Sequence, residues 1–212
     1  ITQAYYLADE ALILVNAFSG VGVGADKAYK YCKKAGKPMA FAVNQIDKEH
    51  ASFDKVLEEL RSSYGQAVAP LQYPIMEGNA FKGFVDVVEN KAYLFDGEKV
   101  KETEIPSDAE ANVMEYREAL IEEAAGSDEE LMDKYFGGED LSKDDILKGI
   151  KLGIQNVSII PVFVVSALQN LGVTQLADAI IAYMPSAADI AAVTAKGADG
   201  EEIEIARDKS AP

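Results

Sequence analysis

Polar side chains that could bind a nucleotide base follow two apolar runs of this sequence. Asn44 and Asp47 come directly after the run 38–43, and Ser166 comes directly after the run 159–165. If both runs are strands of one parallel sheet, ligands bind beyond their carboxyl ends. A carboxylate accepts from both the ring N–H and the exocyclic amino group of guanine, a pair of donors that adenine lacks, and a carboxamide can donate to the base or tie neighbouring loops together. The two strand ends therefore predict a guanine-binding site, while the alternative is that Asn, Asp and Ser are simple turn residues after a strand.

A second candidate site is the glycine-rich segment after the first apolar run. Gly20, Gly22 and Ala25 satisfy the G-x-G-x-x-G/A pattern of dinucleotide-binding loops, and Asp47 would then bind the ribose. Two residues separate the run from the first glycine, and a permissive turn into a helix explains three glycines without a ligand. Lys27 is not preceded by Gly or followed by Ser or Thr, and no segment of these 212 residues matches the phosphate-binding pattern G-x-x-x-x-G-K-[ST]. We therefore prefer the guanine hypothesis.

The apolar runs alternate with amphipathic segments, which is typical of an α/β domain built on a covered parallel sheet. The predicted strands are 11–17, 38–43 and 159–165, and the predicted helices are 25–35, 53–64 and 173–184. Between residues 70 and 156 the pattern changes to an antiparallel pair at 84–88 and 92–95 and to helices near 108–125, 128–136 and 143–155. We therefore predict an α/β domain in two parts, 1–69 and 157–186, with an inserted α+β subdomain at 70–156 and a linker at 187–212.

The composition excludes several classes of protein. The chain has 212 residues, 49% of them hydrophobic, and 36 Asp plus Glu against 20 Lys plus Arg give a net charge of −16. Such a chain can bury a core, so it is not a disordered acidic tail, and we expect no direct nucleic-acid binding because its surface would repel phosphates. No apolar run approaches the roughly 20 residues of a spanning helix, so we predict no membrane contact and a cytoplasmic location. The sequence has one cysteine, Cys32, and one histidine, His50. It therefore cannot form an internal disulfide framework and has almost no ligands for a zinc site.

The negative charge is concentrated in one part of the chain. Residues 96–145 contain 18 acids and 5 bases, a balance of −13. Ser107 and Ser127 each precede a Glu by three residues, as in a helix capping box, and Ser142 with an Asp three residues on is a weaker match. Acids in a first helical turn offset the helix dipole without a ligand. The pattern therefore predicts solvated helix starts rather than a metal site.

Three segments carry a resemblance to a known family. The first is ADEALILVNAFSGVGVGADKAYKYCKKAGKPMAFAVNQIDKEHASFDKVLEEL, the second is LQYPIMEGNAFKGFVDVVENKAYLFDG, and the third is PVFVVSALQNLGVTQLADAIIAYMPS, which ends at Ser186. In this order they resemble the GTPase domain of bacterial elongation factor G or of a close paralogue. The resemblance implies a parallel-sheet P-loop GTPase-type domain, here without its N-terminal part and with an inserted α+β subdomain.

The resemblance also assigns roles at the two strand ends. In that family an N-K-x-D motif binds the guanine base and an S-A motif contacts its carbonyl. The matching positions are Asn44, Gln45, Ile46 and Asp47 in the first motif and Ser166, Ala167 and Leu168 in the second. The implied ligand is GTP or GDP, with Mg²⁺ in the intact parent protein.

Two departures from the family pattern bear on activity. Gln45 stands where the family usually has lysine, which removes a cation beside the nucleotide and predicts an altered nucleotide affinity or GTPase rate. The phosphate-binding loop, the magnesium-binding threonine loop and the D-x-x-G motif with its catalytic histidine should all precede residue 1. His50 lies beyond the base motif, so we assign no catalytic residue. Phosphoryl transfer depends on the missing parts, and we therefore expect the chain as written not to hydrolyse GTP.

Partners follow from the same resemblance. The parent protein would bind GTP or GDP and promote ribosomal translocation in protein synthesis. Its acidic insert would contact the ribosomal stalk protein. The alternative is an acidic protein-interaction module that binds a basic partner without nucleotide.

Overall fold

The computed structural model describes residues 2–97, 99–186, 188–189, 193–197 and 199–205. Its strands are β1 (Ala11–Asn16), β2 (Met39–Asn44), β3 (Val68–Pro70), β4 (Gln72–Glu77), β5 (Ala80–Asp86), β6 (Lys91–Asp96), β7 (Lys99–Thr103), β8 (Ile160–Val165), β9 (Val193–Lys196) and β10 (Glu202–Ile205). Its helices are α1 (Thr2–Leu7), α2 (Val23–Ala35), α3 (Phe53–Tyr64), α4 (Ser107–Ala125), α5 (Glu129–Phe136), α6 (Lys143–Gln155) and α7 (Val173–Tyr183). The predicted α/β class is confirmed, because a parallel sheet and a separate antiparallel sheet are both present.

The parallel sheet has the strand order β1, β2, β8, β3. Strand β2 lies inside it, and Phe41 at its centre is fully buried. Because side chains alternate between the two faces of a strand, each face of the sheet has its own core. Phe41 packs with α2 and α3 on one face, while Ala40 and Ala42 pack with α4, α6 and α7 on the other. Burial on both faces explains why β2 and β8 are continuous apolar runs in the sequence.

The antiparallel sheet has the strand order β4, β5, β6, β7. Its central pair is the one predicted from the sequence, with Phe84 opposite Tyr93. The two flanking strands were not predicted. Strand β4 contains Pro74 and strand β7 is mostly charged (KVKET), so neither has the apolar pattern of a strand.

The prediction of a capping box at Ser107 was wrong, whereas the weaker match at Ser142 does form one. Ser107 is the first residue of α4, and Pro106 holds the N-cap position without a side-chain hydrogen bond. The backbone N–H of Ala109 donates to the Pro106 carbonyl at 2.9 Å, which satisfies a first-turn donor without a capping side chain. Ser142 forms a complete capping box with Asp145 at the start of α6.

The prediction for α5 was also wrong, by one residue. Asp128 is the N-cap, and its carboxylate accepts from two backbone N–H groups of the first turn at 3.1 and 3.2 Å. The hydroxyl of Ser127 instead donates to the carbonyl of Glu123 at the end of α4. A carboxylate is a stronger acceptor for these orphan N–H groups than a hydroxyl, which explains the shift.

Helices α4 and α6 approach closely at Gly149, where an added Cβ would overlap the carbonyl oxygen of Ala124. Gly149→Ala should therefore destabilise the fold by about 1–3 kcal/mol, although alanine is the better helix former. Gly126→Ala is the matched control, because a Cβ there meets no atom closer than 3.6 Å. In urea denaturation the midpoint should fall for the first variant and not for the second. Equal midpoints would contradict the close approach.

The predicted linker contains an antiparallel hairpin of β9 and β10 in its described part. Residues 187, 190–192, 198 and 206–212 of that linker lie outside the described residues. Within the part of the chain that the structure describes, no helix is both long enough and apolar enough to cross a bilayer.

Candidate functional site

The two predicted motifs lie at one edge of the parallel sheet. Strand β2 ends at Asn44 and strand β8 at Val165, and these residues are direct partners across the sheet. Residues 44–47 and 166–168 therefore form neighbouring loops beyond the carboxyl ends of adjacent strands, where open α/β sheets bind ligands.

Asn44 connects the two loops. Its side-chain oxygen Oδ1 accepts from the backbone N–H of Gln45 at 2.7 Å and from the backbone N–H of Ala167 at 3.0 Å. From the sequence, this carboxamide could either donate to the base or tie the loops together. Its oxygen ties the loops together. One side chain thus fixes the spacing of both motifs.

Gln45 is held in an unusual backbone conformation. Its φ is +64°, in the left-handed region that non-glycine residues rarely adopt. Its side-chain Oε1 accepts from Nδ2 of Asn16 at 2.6 Å. The Oδ1 of Asn16 accepts from the backbone N–H groups of Phe18 and Ser19. Asn16 therefore links the loop after β1 to the loop after β2.

Ile46 and Asp47 point in opposite directions from the same loop. Ile46 is 2% exposed and belongs to the core beside α2 and α3, which anchors the loop. Asp47 is half-buried, and its Oδ2 accepts from Nε2 of Gln169 at 3.1 Å. Its Oδ1 receives no hydrogen bond from any described residue, so this atom is open to a ligand.

The second motif forms a closed loop. Ser166 and Leu171 bond to each other in both directions at 2.9 and 3.0 Å, and the N–H of Asn170 donates to the carbonyl of Ala167 at 3.2 Å. The Ser166 hydroxyl is buried and has no partner among the described residues. Leu168 is 82% exposed at the tip, and the described residues give its backbone N–H no acceptor.

Sequence reasoning missed two residues of this site. Asn16 ends an apolar strand, just as Asn44 does, and that shared pattern was the available indication. Gln169 follows the second motif directly, but nothing in its residue type indicates that it would reach Asp47 in the other loop.

The alternative glycine-rich site has an acid packed against its first glycine. Gly20 adopts φ +71°, and the carboxylate of Glu59 occupies the position of its missing Cβ. Gly22 is the N-cap of α2. A carboxylate at this position repels a phosphate, so the geometry favours the interpretation of these glycines as a turn.

The described residues contain no group of three or more His, Cys, Asp or Glu side chains that could hold a metal ion. His50 is exposed and lies 3.5 Å from the Glu49 carboxylate. We derive no step through a metal.

Comparisons with known proteins find similarity over most of this chain. The family model for the elongation factor Tu GTP binding domain matches residues 1–186. The chain is 33% identical over 207 residues to elongation factor G of Mycoplasma pneumoniae. This match covers 96% of this chain and 30% of that protein. It is 31% identical over 205 residues to an elongation factor G-like protein of Thermotoga maritima, which covers 97% of this chain and 29% of that one.

A solved structure is also similar to this chain in fold and sequence. A crystal structure of a protein from Thermus thermophilus superposes with a TM-score of 0.80 at 30% identity and covers 87% of this chain and 28% of that one. The chain thus spans about 30% of the length of the curated relatives that it matches.

Proposed function

Because this chain belongs to the family of elongation factor Tu GTP binding domains, we propose that residues 44–47 and 166–168 bind the base of a guanine nucleotide. The observation that supports this most is the pair of hydrogen bonds from Asn44 Oδ1 into both loops. They hold Asp47 and Leu168 at one edge of the sheet with open hydrogen-bonding atoms.

Each open atom has a counterpart on guanine. The Asp47 carboxylate accepts from the ring N–H and the exocyclic amino group, and the N–H of Leu168 donates to the base carbonyl. The Gln169 bond uses one lone pair of Oδ2, and a carboxylate has about four lone-pair sites, so Asp47 binds the base without releasing Gln169. Adenine offers an amino group where guanine has its carbonyl and would leave Leu168 facing a donor.

Equilibrium dialysis of GDP, IDP and ADP against this chain tests the proposal. IDP lacks the exocyclic amino group and so loses one of the two bonds to Asp47. We expect the affinity order GDP, IDP, ADP, with GDP favoured over ADP by about 100-fold. Equal affinities for GDP and ADP would overturn the proposed base site.

The amide pair of Asn16 and Gln45 should be energetically coupled within this site. Asn16→Asp removes the donor to Gln45 Oε1 and places a carboxylate against it, so GDP affinity should fall about 5- to 10-fold. Adding Gln45→Lys converts the pair to a half-buried ion pair and should restore the affinity. A double-mutant cycle measured by GDP dialysis checks this. Additive losses would show that the two side chains do not act together.

We further propose that the parent protein is an elongation factor G-like GTPase that binds GTP or GDP with Mg²⁺, acts on the ribosome and promotes translocation. The names of the two relatives support this assignment. The division into a domain core at 1–69 and 157–186, an insert at 70–156 and a linker at 187–212 belongs to the same proposal.

The insert would contact the ribosomal stalk protein through its acidic helices. Exposed acids on α4 and α5, such as Glu118, Glu122 and Glu129, support this role. They equally support the alternative of an acidic interaction module without nucleotide. Titration with stalk protein should show binding at low salt that weakens at high salt. Absence of binding at low salt would contradict the stalk contact, and binding by a chain that does not bind GDP would favour the alternative.

A further inference from the structure

A cavity of about 380 Å³ lies between the antiparallel sheet and helix α7. We call it the acidic cavity. Gln72 and Asp86 are direct partners across β4 and β5, and Phe84 and Tyr93 are direct partners across β5 and β6. Because directly opposed residues project from the same face of a sheet, these four side chains form one wall. Helix α7 forms the facing wall.

The charge of the acidic cavity is one-sided. Asp86, Glu89 and Asp178 line it, and no lysine or arginine among the described residues does. Burial raises the pKa of Asp86 to about 6, so its carboxylate is mostly ionised at pH 7.5. Arg117 offsets part of that charge, but it donates to two backbone carbonyls of the neighbouring turn and does not line the cavity.

Two largely buried residues bring donors to the acidic cavity that have no described partner. Gln72 is 4% exposed, and its Oε1 accepts from the backbone N–H of Val164 at 3.3 Å. Within the described residues its Nε2 group donates to nothing. Tyr183 is 8% exposed, and its hydroxyl also lacks a described partner. Both residues line the cavity, so these two donors are available to a ligand that brings an acceptor.

The aromatic lining favours one kind of cation. Rings of Phe84, Tyr93 and Tyr183 line the acidic cavity together with the carboxylates. A guanidinium is planar, stacks on aromatic faces and pairs with carboxylates through two parallel bonds, whereas an ammonium is a strongly hydrated point charge.

From these observations we infer that the acidic cavity is a binding site for a small guanidinium compound that carries a carbonyl acceptor. The guanidinium pairs with the carboxylates of Glu89 and Asp178 and stacks on the rings. The carbonyl accepts from Gln72 Nε2 and the Tyr183 hydroxyl. This site shares no residue with the proposed base site.

Isothermal titration calorimetry of the 212-residue chain at pH 7.5 tests the inference with two probes. N-acetyl-L-argininamide has one guanidinium and two carbonyls, and N-acetyl-L-citrullinamide is its neutral isostere. We expect saturable binding of the first at one site per chain and at least about 10-fold weaker binding of the second. No saturable binding of the first probe, or equal binding of both, would overturn the inference.

Variants separate the cavity from general surface charge. The double variant Glu89→Gln with Asp178→Asn should weaken the arginine probe about 10-fold. The matched control, Glu110→Gln with Glu122→Gln, removes the same net charge from exposed positions of α4 outside the cavity and should change affinity less than about 2-fold. Equal losses in both would assign the binding to long-range attraction and refute the site.

Tyr183→Phe removes only the hydroxyl and should weaken the binding of the arginine probe about 3-fold. An unchanged affinity would refute the role of this hydroxyl as a donor.

Discussion

Replacing Asp47 with asparagine should switch the base preference of this chain from guanine to xanthine. The carboxylate accepts two donors from guanine, whereas a carboxamide presents one acceptor and one donor. The donor would face the amino group of guanine, but it would meet a carbonyl in xanthine. Bonds to a charged group are worth about 1.5–3 kcal/mol each, so GDP should lose about 100-fold or more in affinity while XDP gains.

Competition between GDP and XDP on the same preparation measures this switch. Asp140→Asn is the control, because it makes the same chemical change at an exposed position between α5 and α6. The control should keep the guanine preference of the unmodified chain. If Asp47→Asn also kept it, then Asp47 would not contact the base.

Replacing Phe41 with alanine should cost about 3–5 kcal/mol of unfolding free energy. Phe41 is fully buried at the centre of β2, and its ring stacks with Tyr64 at 5.6 Å and Tyr29 at 6.5 Å between centroids. Deleting the ring leaves a cavity that α2 and α3 cannot close without leaving their contacts with the sheet.

Urea denaturation followed by circular dichroism checks this value. Phe136→Ala is the matched control, since Phe136 is 74% exposed on α5 and should cost less than about 0.5 kcal/mol. Similar costs for the two variants would mean that the core does not centre on β2. The Phe41 variant should keep its preference for GDP over ADP wherever it remains folded, because the ring does not form part of the base site.

The sequence was sufficient to predict three of the four strands of the parallel sheet, β1, β2 and β8, and to place both motifs at strand ends, but it did not predict the short strand β3. Strands β2 and β8 are buried on both faces, which leaves an unbroken apolar run that ends abruptly at a polar residue. Asn44 and Ser166 mark those ends. Adjacency of the two strands in a parallel sheet then requires the motifs to be neighbours.

Contacts between loops could not be predicted in the same way. The bond from Gln169 to Asp47 joins residues 122 positions apart, and the bond from Asn16 to Gln45 joins residues 29 apart. Each depends on side-chain directions set by loops without a repeating pattern. The capping residues show the same limit, because Asp128 competes with Ser127 for the same N–H groups and only the backbone path decides between them.

The fold shows where the net charge of −16 lies relative to the proposed base site. Most of the excess negative charge lies between residues 96 and 145, chiefly on the helices α4 and α5 and in the segments around them. The loops of the base site belong to the parallel sheet and take little part in this charge. A chain with strong overall negative charge can therefore still bind an anionic nucleotide at that edge.

The most direct test of the guanine site is a titration followed by the backbone amide signals of the ¹⁵N-labelled chain. GDP should shift the amides of Asp47 and Leu168 saturably, together with the side-chain amide of Asn16, while ADP at the same concentrations leaves them in place. If GDP left these amides unmoved, or if ADP shifted the same amides equally, the loops at residues 44–47 and 166–168 would not be a guanine-binding site.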